Sequence, residues 1–115
     1  PDRHFDAVYA RLSLHYFTDS VTRAVFRELA RLLRPQGLLA FQCKTIDDPY
    51  YGQGVEIEKD MFESHHVRHF FSEPYARDCL AGLFAIESLR SDKGLLYGEA
   101  SAYLTALARR TTLNQ

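Results

Sequence analysis

The sequence predicts an α/β fold: a sheet of parallel strands plus a C-terminal antiparallel strand, flanked by helices. Three observations predict it. Two short, largely apolar runs at 5–10 and 38–43 are bounded by polar residues, as strands of a sheet covered on both faces are. Between them lies one amphipathic stretch closed by Pro35 and Gly37. Strand, helix, tight turn and strand make a βαβ unit, whose crossover is right-handed. Two further strand-like runs, 84–90 and 103–109, are separated by a turn signal with no intervening crossover helix. They are therefore expected to pair antiparallel.

Length and composition narrow the function classes. The 115 residues fit one domain. Hydrophobic residues make up 46% of the chain, enough apolar material to exclude intrinsic disorder. The longest apolar runs, such as 37–41, are far short of the ~20 residues that cross a bilayer. Fourteen basic side chains against fifteen acidic ones give a net charge of −1. That balance argues against nucleic-acid binding and against a polybasic membrane anchor. Cys43 and Cys79 stand far apart without a C-x-x-C spacing, and read as buried thiols of a reducing, cytoplasmic compartment. The chain starts at Pro1 without Met, and a strand-like run follows at once. It is expected to be trimmed or to be part of something longer.

Each element has its own signal. Thr18, Asp19 and Ser20 are alternative N-caps for a helix over about 20–33. Val21, Val25, Leu29, Leu32 and Leu33 form its inner stripe, with Phe26 beside them. Arg23, Arg27, Arg31 and Arg34 fall on the other side, with Asp19 and Glu28 in pairing positions. They read as a solvated face rather than a phosphate site. Pro35 stops the helix. Positive φ at Gln36 is unfavourable, so a type I turn ending at Gly37 is expected. Residues 44–66 are long for a connection, which points to function. Ile57, Met61 and Phe62 there suggest a short helix. Gly52 and Gly54 read as a plain turn, because Ile57 stands where a dinucleotide loop needs its third glycine. Residues 67–71 read as extended. Ser72 caps a helix whose inner stripe is Tyr75, Ala76, Cys79, Leu80 and Leu83, and Gly82 stops it. Residues 91–94 read as a turn.

Three groups of residues carry a family likeness. The first is Phe5-Asp6-Ala7-Val8-Tyr9-Ala10 with Leu12-Ser13-Leu14-His15-Tyr16-Phe17. The second is Phe26, Leu29 and Arg31-Leu32-Leu33-Arg34-Pro35-Gln36-Gly37-Leu38-Leu39. The third is Phe71-Ser72-Glu73, Gly82-Leu83-Phe84-Ala85-Ile86 and the strand 103–108. In this order they resemble the C-terminal half of a class I S-adenosylmethionine-dependent methyltransferase: its fourth strand, its "L-H-x-F" loop, its "L-L-K-P-G-G-x-L" turn and its last strands. The stretch 47–72 is further similar to small bacterial methyltransferases of the tellurite-resistance-like group. The resemblance implies a partial Rossmann-like sheet, with 44–66 as a substrate lid. It implies S-adenosylmethionine as cofactor, approached by Ala10, Arg11, Leu12, Leu14 and His15. The family's glycine-rich loop and the acidic residue after its second strand have no counterpart among the 115 residues, so a complementing N-terminal half is implied. The strand 5–10 would otherwise be an open edge. A homodimer or the missing half is the expected partner there.

Candidate substrate residues are Lys44, Tyr50, Tyr51, Arg68 and His69, all at or beyond the end of the second strand. Bland readings stand beside them: aromatic packing for the tyrosines and strand packing for His69. His15 follows the first strand and is either near the cofactor's methyl group or a loop imidazole packed on Tyr16 and Phe17. Asp47 and Asp48 form either an acid–base pair or a polar turn before Pro49. His65 and His69 are four apart, but an extended backbone would not bring them together, and no metal is expected. No catalytic residue is assignable. Two functions follow: methyl transfer to a small-molecule acceptor, or an inactive stand-alone fragment serving as an oligomeric binding module.

Overall fold

The computed structural model describes residues 5–11, 17–64, 66–96 and 99–111. Its main sheet contains β1 (Phe5–Arg11), β2 (Leu33–Lys44), β6 (Phe84–Leu96) and β7 (Glu99–Arg110) in the order β1-β2-β7-β6. β1 and β2 run parallel, and β7 is antiparallel to both β2 and β6. The expected mixed α/β sheet is the one observed.

Helix α1 (Asp19–Leu32) connects β1 to β2. Thr18 is the N-cap, its side-chain oxygen accepting the Val21 N–H. The buried positions are Thr22, Phe26 and Ala30, one residue on from the expected stripe. Val21, expected inside, is 45% exposed. Thr22 turns inward instead because its hydroxyl donates to the Phe17 carbonyl, which removes the cost of burying it. Arg27, Arg31 and Arg34 are exposed as expected, and Arg31 pairs with Glu28; Arg23 is half-buried and bonds Asp19 at 2.8 Å.

The turn into β2 departs from expectation. Pairing passes from Phe5 with Leu33 to Ala7 with Leu38, so three extra residues of β2 must be absorbed. A Cβ on Gly37 would lie 2.7 Å from the Arg34 carbonyl oxygen. Gln36, not a glycine, takes the left-handed conformation with φ 68°. The type I turn is therefore corrected.

One face of the sheet is covered. Leu39, Phe41 and Cys43 of β2 are buried beside Ala108, Ala106 and Leu104 of β7. Phe26 of α1 meets Phe41 edge-on at 5.3 Å between ring centroids, and Phe71 meets Phe41 at 6.5 Å. Helices α1 and α2 (Glu73–Leu80) pack on this side and on each other. The strands were expected to be buried on both faces, and that is corrected. Leu38, Ala40, Gln42 and Lys44 are only half-buried, and Tyr9 of β1 is 65% exposed. Among the described residues no element covers that face, so each strand alternates.

Two further corrections concern strands. Residues 91–94 are not a turn but part of β6, paired with 101–104. Ser91 donates to Glu73, and Arg90 bonds Asp92 at 2.9 Å. Residues 97–98, between β6 and β7, lie outside the described residues. The segment 44–66 holds no helix among its described residues. It contributes β3 (Val55–Glu58) and β4 (Met61–Ser64), which join β5 (His66–His69) in a small antiparallel sheet of order β3-β4-β5. Asp60 at φ 61° turns β3 into β4. Met61 is buried, but Ile57 is 46% exposed. Ser72 caps α2 by accepting the Tyr75 N–H, and Gly82 at φ 78° follows its end. Both cysteines are free and buried. Among the described residues no helix is long and apolar enough to cross a membrane.

Candidate functional site

Parallel strands β1 and β2 end on the same edge of the sheet, the edge at which α/β sheets receive ligands. Helix α1 starts there. So does α2, because Phe71 is tied to the end of β2: its N–H donates to the Lys44 carbonyl, and its own carbonyl accepts the Ile46 N–H. The small sheet β3-β4-β5 leaves and rejoins the chain at this edge.

Two groups of side chains meet here. The first is built on the end of β2. Lys44, its last residue, reaches the Asp48 carboxylate at 3.2 Å. That carboxylate is fully buried and also accepts the backbone N–H groups of Tyr50 and Ala102. Asp47, by contrast, is exposed, and its N–H donates to the Thr45 hydroxyl. The two aspartates therefore face different surroundings, and Asp48 bonds as the brace of a polar turn. Arg68 of β5 stacks on the Tyr50 ring at 4.8 Å, and the Lys44 ammonium lies 6.0 Å from the same ring. Thus three of the expected substrate residues, Lys44, Tyr50 and Arg68, are brought together.

The second group lines a cleft of about 540 Å³ between the starts of α1 and α2 and the turn at 58–60. His69 is in its wall. The residue is 3% exposed, its ring centroid 5.3 Å from that of Phe71 and 5.0 Å from that of Tyr75. Its Nδ1 lies 2.8 Å from the Phe17 carbonyl oxygen. Beside it the Tyr75 hydroxyl donates to Asp19 at 2.7 Å, and Arg23 bridges Asp19 and Asp78, each at 2.8 Å. The Tyr75 bond, followed by Arg23, holds the Asp19 carboxyl below its usual range despite partial burial. Burial, reinforced by Asp19, pushes the Tyr75 phenol far above its own. Asp19, Arg23 and Tyr75 were not among the expected site residues. A signal was present: a tyrosine on the inner stripe of a helix needs a partner for its hydroxyl.

Tyr51 belongs to neither group. Its hydroxyl donates to Asp60 at 2.5 Å, which together with burial pushes its pKa up to about 12. Its ring packs against Phe62 and Phe70 at 5.0 and 5.4 Å. Of the expected cofactor residues, Ala10 is half-buried and paired with Phe41. Arg11 closes β1 opposite Gln42. Leu12, Leu14 and His15 lie outside the described residues, as does His65. Among the described residues no group of three His, Cys, Asp or Glu is arranged around a metal position.

Comparison with known proteins adds a family likeness. A family model described as a methyltransferase domain matches residues 1–41. No curated protein matches the sequence. Among solved structures, a methyltransferase of Methanosarcina mazei, described as dependent on S-adenosylmethionine, is 19% identical. It aligns with a TM-score of 0.80 over 96% of this chain and 61% of that one. The 1,6-didemethyltoxoflavin N1-methyltransferase of Burkholderia thailandensis was solved with that compound and S-adenosylhomocysteine. It is 22% identical, with a TM-score of 0.74 over 96% of this chain and 46% of that one. An S-adenosylmethionine-dependent methyltransferase of Mesorhizobium loti is 20% identical, with a TM-score of 0.69 over 96% and 63%. The chain spans roughly half to three fifths of the length of these structures. Its fold is that of the portion of the methyltransferase fold it covers.

Proposed function

We propose that the chain is the C-terminal half of a class I methyltransferase that uses S-adenosylmethionine to methylate a small-molecule acceptor. The observation that carries this reading is where the methyltransferase-domain model falls. Residues 1–41 span β1, the loop expected to touch the cofactor, and the βαβ crossover. The residues present fit one side of such a site. Ala10 is small and half-buried at the carboxyl end of β1, and among the described residues β1 pairs only with β2. Ala10, Arg11, Leu12, Leu14 and His15 would hold the cofactor, largely through backbone. The cofactor supplies the methyl group from its sulfonium.

The chain's own residues would do the rest. Lys44, Tyr50, Arg68 and His69 would face the acceptor, with 44–66 as the lid over it. Holding two reactants in line provides much of the rate of a methyl transfer. The exposed edge of β1 would receive the N-terminal half or a second copy of the chain, and Phe5 and Tyr9, 43% and 65% exposed, would be covered. The closer likeness to the tellurite-resistance-like group, and a reducing cytoplasmic setting for the two buried thiols, belong to the same reading.

Calorimetric titration with S-adenosylhomocysteine tests it. Saturable binding near the micromolar range, about −8 kcal/mol, is expected once the β1 edge is covered. No heat at millimolar ligand, with the edge covered, would leave the inactive binding module as the better account.

A further inference from the structure

We propose that His69 is a catalytic base of this site, accepting a proton from a hydroxyl-bearing acceptor bound in the cleft between α1 and α2. The argument starts from the tautomer. A carbonyl oxygen only accepts, so the 2.8 Å contact between Nδ1 and the Phe17 carbonyl requires a proton on Nδ1. In the neutral ring Nε2 then carries the lone pair. No side chain or backbone group among the described residues bonds that nitrogen, although the residue is 3% exposed. A buried polar atom left without a partner is unusual in a folded protein. Here it belongs to a residue lining a cleft of about 540 Å³, the size of a small-molecule site.

The location suits a base. Phe17, which fixes the ring, is two residues past His15 in the loop expected to meet the cofactor. The rings of Phe71 and Tyr75 hold the imidazole at centroid distances of 5.3 and 5.0 Å. Charged and titratable groups face the cleft from α1 (Asp19, Arg23), from α2 (Tyr75, Asp78) and from the turn at 58–60. Asp19 interacts electrostatically with His69. Arg23 is already neutralised by Asp19 and Asp78. In the step, the acceptor's O–H bond breaks, its electron pair stays on oxygen, and the proton binds Nε2 to give imidazolium. The inference rests on the methyltransferase reading, because the bared oxygen is the nucleophile that methyl transfer needs. It narrows the acceptor to compounds whose nucleophilic atom must lose a proton.

The probe is 4-nitrophenol, whose phenolate is yellow. The protein is expected to bind it and develop the phenolate band at a pH where free 4-nitrophenol is mostly protonated. His69→Asn places an amide N–H at the Nδ1 position, so it keeps the bond to Phe17 and removes the base. It is expected to bind the probe without the band. In the active enzyme the same change is expected to cost about 10²–10⁴-fold in kcat. No binding, no band, or an equal band in the variant would overturn the proposal. Should His69→Asn fail to fold, nitrogen-15 NMR of the unmodified protein decides: a neutral ring protonated at Nε2 rather than Nδ1 would overturn it. Titration with S-adenosylhomocysteine, with the β1 edge covered, separates the two readings. Its binding without the band sinks the base alone, and the band without its binding sinks the methyltransferase.

Discussion

At the scale of single residues, Asp48 is the clearest structural anchor. Its carboxylate has no exposed surface and joins three separate segments: the end of β2 through Lys44, the turn that follows it through the Tyr50 N–H, and β7 through the Ala102 N–H. Removing one partner of a buried pair leaves the other charge uncompensated, which costs about 3–5 kcal/mol. Lys44 keeps some contact with solvent, with 15% of its side chain exposed, so Asp48→Ala is expected to cost about 3 kcal/mol, near the low end of that range. Urea denaturation measures it, and a loss under about 1 kcal/mol would mean that the turn holds without its brace. Asp19 shows a pH dependence of known sign. Its folded pKa is depressed, chiefly by the Tyr75 hydroxyl and then by Arg23. A depressed carboxylate stabilises the fold above its unfolded value of about 3.9 and loses that contribution as pH falls through the folded value. The gap in Tm between the parent protein and Asp19→Asn should therefore be open at neutral pH and close in strong acid. A gap that stays constant would show that the carboxylate's charge is not what Tyr75 and Arg23 hold.

At the scale of elements, legibility followed how local the determining interactions are. Helix α1 was readable because its three- and four-residue spacing and the stop at Pro35 are local facts. Its burial stripe was misplaced by one residue, because the hydroxyl of Thr22 finds the Phe17 carbonyl, which no hydrophobicity pattern records. The segment 44–66 was expected to hold a short helix and forms strands instead. Ile57, Met61 and Phe62 fit a helical spacing, whereas the hairpin depends on positive φ at Asp60, a residue without a glycine's signature. The segment 91–94 carries good turn residues yet continues as strand, because β7 is long enough to pair with it. In the site, Lys44, Tyr50 and Arg68 were legible as polar and aromatic residues at the end of a strand. The setting of His69 was not, since its partner Phe17 is 52 residues away. The caps were legible, and one bears on the cleft. Ser72 accepts the Tyr75 N–H at 3.2 Å, so Ser72→Ala should cost about 1 kcal/mol. It should also loosen the bond between Tyr75 and Asp19, which would shift the near-ultraviolet spectrum of the tyrosines. An unchanged Tm would assign the start of α2 to packing alone.

At the scale of the whole molecule, the sheet is finished on one face and, among the described residues, open on the other. Phe26, Phe41 and Phe71 close the helical side, while Tyr9 and the half-buried residues of β2 wait on the opposite side. The strand order has a consequence for synthesis. β7, the last described strand along the chain, lies between β2 and β6. Until it leaves the ribosome, β1 with β2 and the outer strand β6 have no ladder in common. Pairings distant in sequence form late because the connecting chain must first lose its freedom. A nascent chain stalled before residue 99 would thus present two separate sheet fragments to chaperones, and cooperative closure would come with the final dozen strand residues.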